Sequence, residues 1–339
     1  MSVRQIVLIA VALLVAPLAV QAQTAAGAQP RTAYGRPDLQ GVWDFRTITP
    51  LERPAAQADK AVLTAEEAAQ IEAQWATVKF YDRPAREGEV IAYNDFWLDL
   101  GSTVVGSRRT SLIVDPPDGR LPPLVLGAPR QLASLDEDLP GERPVRYRAG
   151  GIGVDGPEDR GVGVRCILGF NSGPPLMPSG YNNNMQLFQT PDHVVVLTEM
   201  VHDARVIPLD GRAHLPGEVR QWNGDSRGHW NGDTLVVETT NFTGKTGSFN
   251  NGLTVAVGTG ETLHLTERFT RVDAETLLYE YTVEDSTSFS RPFTVAQPMR
   301  KNPEQLFEYA CHEGNYGMTN MLTGARVVEN AATGTAGPE

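Results

Sequence analysis

The sequence predicts a mainly β protein whose strands run antiparallel, arranged as a barrel or, alternatively, as a β-sandwich. Two observations lead to this fold class. Short runs rich in β-branched, aromatic and aliphatic residues recur along the chain, and tight-turn sequences such as Pro116-Pro117-Asp118-Gly119 separate them. The composition points the same way, because 33 glycines and 24 prolines favour turns over long helices.

The predicted strands are short, and several form hairpins. Residues 190–192, Thr-Pro-Asp, separate two of them, and residues 273–275, Asp-Ala-Glu, separate another two, which is typical of antiparallel neighbours. In chain order the strands are predicted at residues 42–46, 109–114, 185–189, 193–201, 205–209, 263–272, 276–284, 293–299 and 306–311.

A repeat of Trp-Asn-Gly-Asp, beginning at Trp222 and again at Trp230, predicts two further turns. Asn-Gly favours tight hairpin turns because both residues tolerate a positive φ. We therefore expect a three-stranded meander with strands at residues 218–222, 226–230 and 234–241.

One helix is predicted to pack against the outside of the β structure. Thr64 and Glu67 have the spacing of a capping box, in which each residue satisfies a free backbone N–H group of the other. Ile71, Trp75 and Val78 follow on one face at helical spacing, so that face is expected to be apolar packing surface. A second, short helix is expected after Tyr316.

The N-terminus has the pattern of a secretory signal peptide at residues 1–22. Arg4 precedes an apolar run, Ile6 to Val20, and small residues follow at Ala22. The run is shorter than the ~20 apolar residues of a membrane span, so no membrane insertion is expected. The protein is therefore predicted to be exported.

The rest of the chain is expected to form a single β-rich domain between two irregular ends. Residues 23–35 are predicted to be a flexible lead, residues 36–328 the domain, and residues 329–339 a disordered tail. A Gly- and Pro-rich stretch, residues 127–164, predicts a long surface loop, and whether it divides two domains is left open. Its Gly-Gly-Ile-Gly run lacks the strand and helix of a nucleotide-binding loop.

Charge excludes two classes of partner. The formal net charge is −12 and no cluster of lysines or arginines is present, so nucleic acid and anionic lipid surfaces are repelled. The expected partner is a small organic molecule.

The two cysteines, Cys166 and Cys311, are predicted to form one disulfide because an exported protein folds in an oxidising compartment. The alternative is a free catalytic thiol.

Two glutamates interrupt strand faces that are otherwise apolar. Glu199 follows Val195 and Leu197, and Glu267 shares a face with leucines and a phenylalanine. One interpretation is a buried ion pair with an arginine; the candidates are Arg205, Arg227 and Arg268. The other is a carboxylic acid whose raised pKa lets it hold a proton for acid–base chemistry.

Three of the six histidines lie in dense polar clusters and are the candidate acid–base groups: His202, His229 and His312. With an acid, they would also form a ligand set for a divalent metal such as zinc, although their spacing matches no compact metal motif and no metal ligand is assigned. No organic cofactor is predicted. We interpret the remaining histidines as ordinary surface residues; they are His193, His214 and His264.

Four residues near these histidines are the candidate substrate-binding groups. Tyr181 and Asn183 belong to a Tyr-Asn-Asn-Asn run at residues 181–184 that suits a loop at the mouth of a barrel, where they would hold a substrate oxygen. Glu313 would be fixed beside the predicted disulfide, and Trp230 would form an apolar wall.

These residues predict an exported enzyme that acts on a small molecule by proton transfer, as a lyase, hydratase or hydrolase. His202 would be the acid or base and Glu199 its partner, with His229 and His312 completing the polar end of the pocket. A Ser-His-Asp hydrolase is disfavoured because no Gly-x-Ser-x-Gly motif occurs. The alternatives are a periplasmic binding or carrier protein without catalysis, and a structural envelope protein.

Several longer runs carry a resemblance. PDLQGVWDF, PSGYNNNMQLFQTPDHVVVLTEMVHDARVIPLDG, GDSRGHWNGDTLVVETTNF, LHLTERFTRVD and EYACHEGNYGM resemble a group of exported bacterial proteins, usually described as hypothetical. The resemblance extends from Pro37 to Arg326 and implies a secreted or periplasmic bacterial protein, but no catalytic residue.

The start of the domain resembles lipocalin-like barrels, which open with Gly-x-Trp on their first strand, here Gly41-Val42-Trp43. This resemblance implies a lipocalin-like antiparallel barrel that holds one small ligand, with the one packed helix outside it. The long insertion around Gly150 departs from a minimal lipocalin.

Overall fold

A computed structural model describes residues 29–85, 94–128, 130–132, 156–157, 162–169, 171–245, 249–250, 255–258 and 260–334 of the 339-residue chain. The predicted signal peptide lies outside the described residues, as do most of the predicted 127–164 loop and residues 335–339.

The described residues form short strands and two α-helices. The strands are β1 (Gly41–Asp44), β2 (Ile113–Asp115), β3 (Arg130–Leu132), β4 (Asn184–Gln189), β5 (His193–Thr198), β6 (Ala204–Pro208), β7 (Asp225–Asn231), β8 (Thr234–Thr240), β9 (Phe249–Asn250), β10 (Val255–Val257), β11 (His264–Arg271), β12 (Thr276–Glu284) and β13 (Phe293–Asn302). The helices are α1 (Ala65–Trp75) and α2 (Tyr316–Thr333). The prediction of a mainly β protein is confirmed.

One antiparallel sheet of ten strands dominates the fold. Its order is β6-β5-β4-β1-β13-β12-β11-β8-β7, with β2 paired to β13, and β3, β10 and β9 form a second, small sheet. The large sheet is not closed, because no ladder joins β6 to β7 in the described part of the chain, so a barrel is not shown. The two edge strands nevertheless pack together: a methyl group on Gly228 would lie 2.9 Å from Ile207 Cγ2.

The apolar core lies on one face of the large sheet. Along β12, Leu277, Tyr279, Tyr281 and Val283 are fully buried while the residues between them are partly exposed, as expected from the two-residue period of a strand. Trp43 of β1 packs in the same core, where its indole N–H donates to the Leu39 carbonyl at 2.9 Å.

The predicted meander forms only in part. The second Asn-Gly turn joins β7 to β8, and Gly232 has the positive φ of 60° that the turn requires. Residues 218–222 form no strand; Gln221 makes an isolated bridge to Phe242 instead. Gly224 also has a positive φ, and a Cβ there would lie 2.7 Å from the Thr240 carbonyl, so the first Asn-Gly serves close packing of the chain against β8.

Residues 306–311, which were predicted to be a strand, contain none. They lead into the disulfide and α2, where pairing to the sheet has ended at Asn302.

The helix predicted from the capping box is confirmed as α1. The Thr64 hydroxyl accepts from the Glu67 N–H at 3.2 Å, and the Glu67 carboxylate accepts from the Thr64 N–H at 2.8 Å. Ala68 packs with Leu63 and Val104, so α1 is attached to the irregular segments that flank β1 and β2.

The C-terminal helix is longer than the short one that was predicted. α2 begins after Asn315, whose side chain accepts from the Met318 N–H, and continues to Thr333 before Gly334 turns the chain with a φ of 69°. It therefore includes residues 329–333, which were expected to belong to a disordered tail. Alanines near its end have a high helix propensity.

The predicted disulfide between Cys166 and Cys311 is confirmed, with the two Cα atoms 5.7 Å apart. It ties the segment before β4 to the segment before α2 across 145 residues of sequence. Neither α1 nor α2, nor any other described helix, has the length and apolar character to cross a bilayer.

Candidate functional site

Glu199 and His202 lie at one turn between β5 and β6, but their side chains bond to different partners. Glu199 is half-buried and accepts from Asn184 Nδ2 at 2.9 Å, while Asn184 Oδ1 accepts from Asn302. His202 is exposed, and its Nδ1 lies 3.0 Å from the Tyr309 carbonyl oxygen. The turn therefore places the two residues close together in sequence without joining carboxylate to imidazole.

The other two candidate histidines occupy different parts of the molecule. His312 and Glu313 follow Cys311 and are exposed, and the contact of His202 with Tyr309 brings His202 to the same stretch of chain. His229 is exposed on β7, opposite Val236 of β8.

Trp230, the predicted apolar wall, packs partly against the core, and the guanidinium of Arg36 lies 5.5 Å from its ring centroid.

No group of three or more histidine, cysteine, aspartate or glutamate residues within the described ranges could hold a metal ion. The described residues therefore give the zinc interpretation no geometric support.

The side chain of Asn183 is buried and hydrogen-bonded to other parts of the protein. Its side chain is fully buried, and its amide nitrogen donates to the carbonyls of Asp99 and Ser179 at 2.8 and 2.9 Å. Its amide oxygen accepts from Ser179 N and Asn171 Nδ2 at 2.8 and 3.0 Å, and Asn171 also donates to the Tyr181 carbonyl. All four hydrogen-bonding positions of the amide are occupied by protein. Asn183 thus fixes the loop around residue 99 to the start of β4.

Glu267 is the carboxylate at the centre of the sheet interior, and it forms an ion pair. Both its oxygens accept from Arg205, one at 2.9 Å, and Tyr279 donates its hydroxyl to Glu267 Oε1 at 2.8 Å. The Leu176 N–H donates to the Tyr279 oxygen at 3.1 Å. Burial, and next the charge of Glu267, raise the pKa of Tyr279 well above its usual value. Of the two interpretations of Glu267, the structure shows the ion pair.

An open cleft of about 480 Å³ lies where α1 ends and β1 meets β13. The end of α1, the segment from Leu98 to Thr103, and the side chains of Asp44 and Arg300 line it. Trp75, the last residue of α1, is held in the wall by a hydrogen bond from its indole N–H to the Gly101 carbonyl at 3.1 Å. Neither the helix nor the strands were predicted to form this cleft.

Three acidic side chains line the cleft, and the protein itself satisfies each of them. Arg46 donates to both oxygens of Asp44 at 2.6 to 2.9 Å and also to Asp99. These hydrogen bonds, those donated to Asp44 first, raise the pKa of Arg46 above its usual value. Asp95 accepts from the N–H groups of Tyr81 and Phe80, which lower the pKa of its carboxyl.

Two cations of the same cleft form no salt bridge, although the charge of Lys79 helps to lower the pKa of Asp95. In the parts of the chain that the structure describes, no carboxylate lies within salt-bridge distance of Lys79 or Arg300. Arg300 faces Asp44 across the β1–β13 ladder, but the Asp44 carboxylate is engaged by Arg46.

A second cavity, of about 360 Å³, adjoins the first and is mainly apolar. Trp75 and Leu100 line both cavities. The second is further enclosed by Leu51, Leu112, Met177 and Tyr281, among other residues. We call the two cavities together the α1 cleft; it has a charged half and an apolar half.

The sequence contained little that could reveal this cleft. Its walls come from irregular segments around residues 44–51 and 95–103, which have no motif. Trp75 was predicted to be packing surface of α1, and a tryptophan at the very end of a helix was the one available signal.

A second arrangement that sequence reasoning missed joins His214 to Asp225. Asp225 is buried and accepts from His214 Nδ1 at 3.0 Å, from Leu215 N at 2.9 Å and from Arg227 at 2.7 Å. Burial alone would raise the pKa of the Asp225 carboxyl, but these hydrogen bonds outweigh it and the pKa is lowered. His214, which was interpreted as an ordinary surface residue, is therefore an oriented imidazole.

No protein-family model matches the chain, and no curated protein sequence is significantly similar to it.

Proposed function

We propose that the protein is an exported binding or carrier protein whose small organic ligand occupies the α1 cleft. The observation that carries this proposal is the pair of adjoining cavities, one charged and one apolar, that share Trp75 and Leu100. Each cavity has the volume typical of small-molecule sites, roughly 300–1,000 Å³. A molecule with a polar end and an apolar body would contact both halves at once.

The walls of the α1 cleft are held in place independently of any ligand. Asn183 fixes the segment at Asp99, Trp75 is bonded to Gly101, and Arg46 connects β1 to Asp99. A site that is already ordered loses less conformational entropy when it binds, which favours affinity.

Acid–base catalysis on a small molecule, by a lyase, hydratase or hydrolase, is the second candidate function. It is favoured by the imidazole of His214, which the buried carboxylate of Asp225 orients. A carrier returns its ligand unchanged after denaturation, whereas an enzyme converts it, so recovery of the ligand by mass spectrometry separates the two functions.

The disulfide and the contact between the two edge strands also support the proposal. The disulfide supports an oxidising location, which is the periplasm or the medium of a bacterium. The packing of β6 against β7 supports a lipocalin-like curvature of the sheet, closer to a barrel than to a flat sandwich.

The proposal is tested with N-phenyl-1-naphthylamine, a neutral apolar dye whose fluorescence rises when it is bound. The purified protein is expected to bind it saturably at one site. Leu100→Asp places a carboxylate in the wall that both cavities share, and we expect it to weaken binding by about tenfold or more, since an unpaired charge then has to be desolvated.

Leu126→Asp is the matched control, because Leu126 is fully exposed and lines neither cavity. Circular dichroism melting establishes that both variants fold. Equal dye binding by Leu100→Asp, Leu126→Asp and the wild type would show that the α1 cleft is not the binding site.

A further inference from the structure

The charged side chains of the α1 cleft differ in whether other groups of the protein bind them. Asp44 and Asp99 share the one guanidinium of Arg46, and Asp95 accepts hydrogen bonds from backbone N–H groups. The charge of Lys79 helps to lower the pKa of the Asp95 carboxyl, whereas Arg300 has no carboxylate within salt-bridge distance in the described chain. The cleft therefore has three basic and three acidic side chains, and Arg300 is the basic one that no described carboxylate engages.

We propose that the ligand of the α1 cleft is a small organic carboxylate, whose anionic group binds Arg300 and whose apolar body enters the cavity beside Leu100 and Met177. This inference rests on the proposed function and adds the chemical class of the ligand. A guanidinium can hold a carboxylate through two parallel hydrogen bonds, which gives both affinity and orientation.

Arg300 is available for this role because of its place on β13. Met299, one residue before, is buried in the core, so Arg300 points to the opposite side of the strand. Asp44 lies opposite Arg300 in the β1–β13 ladder. Its carboxylate already accepts three hydrogen bonds from the Arg46 side chain. Asp44 therefore cannot satisfy Arg300 without giving up bonds to Arg46.

The apolar half of the cleft determines the rest of the ligand. Leu51, Leu112, Met177 and Tyr281 offer carbon surface, and the volume of about 360 Å³ accommodates a body of one or two rings. A purely inorganic anion would leave that surface exposed to water. The hydrophobic contribution therefore favours a carboxylate that carries an apolar group over a bare ion.

The experiment compares two probes that differ only in charge, naphthalene-1-carboxylate and naphthalene-1-carboxamide, by isothermal titration calorimetry on the purified protein. We expect the carboxylate to bind about tenfold more tightly or better, since a hydrogen bond to a charged group contributes more than a neutral one. Arg300→Gln should lower the affinity for the carboxylate to that for the amide and leave the affinity for the amide unchanged.

Lys301→Gln is the matched control. It removes the same charge at the next position of β13, and Lys301 lies against Gly41 and lines neither cavity. We expect it to retain the preference for the carboxylate.

The outcomes separate the two proposals. Equal affinity of the wild type for both probes, or a preference that persists in Arg300→Gln, would overturn the carboxylate assignment while leaving the cleft as a binding site. Failure of both probes to bind would overturn the binding function together with the ligand class.

Discussion

Arginine and carboxylate side chains lie together in two regions of this molecule, and the two regions differ in whether every arginine is paired. In the sheet interior, Arg205 and Glu267 form a closed set with Tyr279, in which both carboxylate oxygens have partners. In the α1 cleft, Arg46 donates to both oxygens of Asp44 and to one oxygen of Asp99, and Arg300 forms no salt bridge within the described chain.

The difference follows from how far water can reach the charged side chains in each region. Glu267 is fully buried, and an unpaired charge there would cost several kcal/mol of desolvation, so the fold must pair it completely. In the cleft the side chains of Arg46 and Asp99 are 34% and 43% exposed, and water can solvate a neighbouring cation until a ligand replaces it. Charges that are available for recognition are therefore found where the fold leaves access to solvent.

The largest loss of stability is expected for Glu267→Gln, which leaves Arg205 buried without a counter-charge. We expect the free energy of unfolding to fall by about 3–5 kcal/mol, the usual result of removing one partner of a buried ion pair. Urea unfolding measures this loss. Binding of N-phenyl-1-naphthylamine to the folded variant should be unchanged, because Glu267 lines neither cavity.

The double variant Arg205→Met with Glu267→Leu is the control for Glu267→Gln. Replacing both charges by apolar groups of similar size removes the need for pairing, so most of the lost stability should return. A loss below about 1 kcal/mol in Glu267→Gln would mean that water reaches the pair and that the interior is not dry.

A smaller effect is expected for Tyr279→Phe. The phenol donates to Glu267 and accepts from the Leu176 N–H, so its removal leaves a buried backbone donor and one carboxylate oxygen less satisfied. We expect a loss of about 1–3 kcal/mol in the free energy of unfolding.

The alkaline pH dependence of stability identifies the phenol as the cause. Because the pKa of Tyr279 is raised in the folded protein, its contribution is complete below the unfolded pKa of about 10 and is lost as the pH rises above that value towards the folded pKa. The stability of Tyr279→Phe should therefore fall less steeply above pH ~10. Parallel slopes for both proteins would contradict this assignment.

Local signals in the sequence predicted local structure well. The capping box at Thr64 and Glu67 is present in α1, and the predicted strand at residues 276–284 is β12 to the residue. The pairing of Cys166 with Cys311 followed from the predicted export and from the number of cysteines, since two cysteines in an oxidising compartment can form one disulfide. Each of these predictions depended only on a few neighbouring residues or on the number of cysteines.

The candidate site depended on long-range packing, and there the sequence was less informative. Glu267 could be recognised as an acid on an apolar face, but its pairing with Arg205 rather than Arg227 or Arg268 depended on which strands face one another across the interior. The α1 cleft is formed by side chains from the ends of α1, β1 and β13, which lie in neighbouring positions only after the sheet has formed. No spacing along the chain encodes that arrangement.

The smallest effect on stability is expected for Arg300→Gln. An exposed arginine with no partner in the described chain contributes little to the folded state, so the free energy of unfolding should change by less than about 0.5 kcal/mol. The same substitution should lower the affinity for naphthalene-1-carboxylate by about tenfold. Urea unfolding and calorimetry on one preparation measure both quantities, and Glu267→Gln should show the reverse pattern, with a large loss of stability and unchanged binding. A stability loss above about 1 kcal/mol for Arg300→Gln would place this residue with Arg205 among the charges that hold the fold together, because a side chain that the folded protein already uses cannot also be free for a ligand.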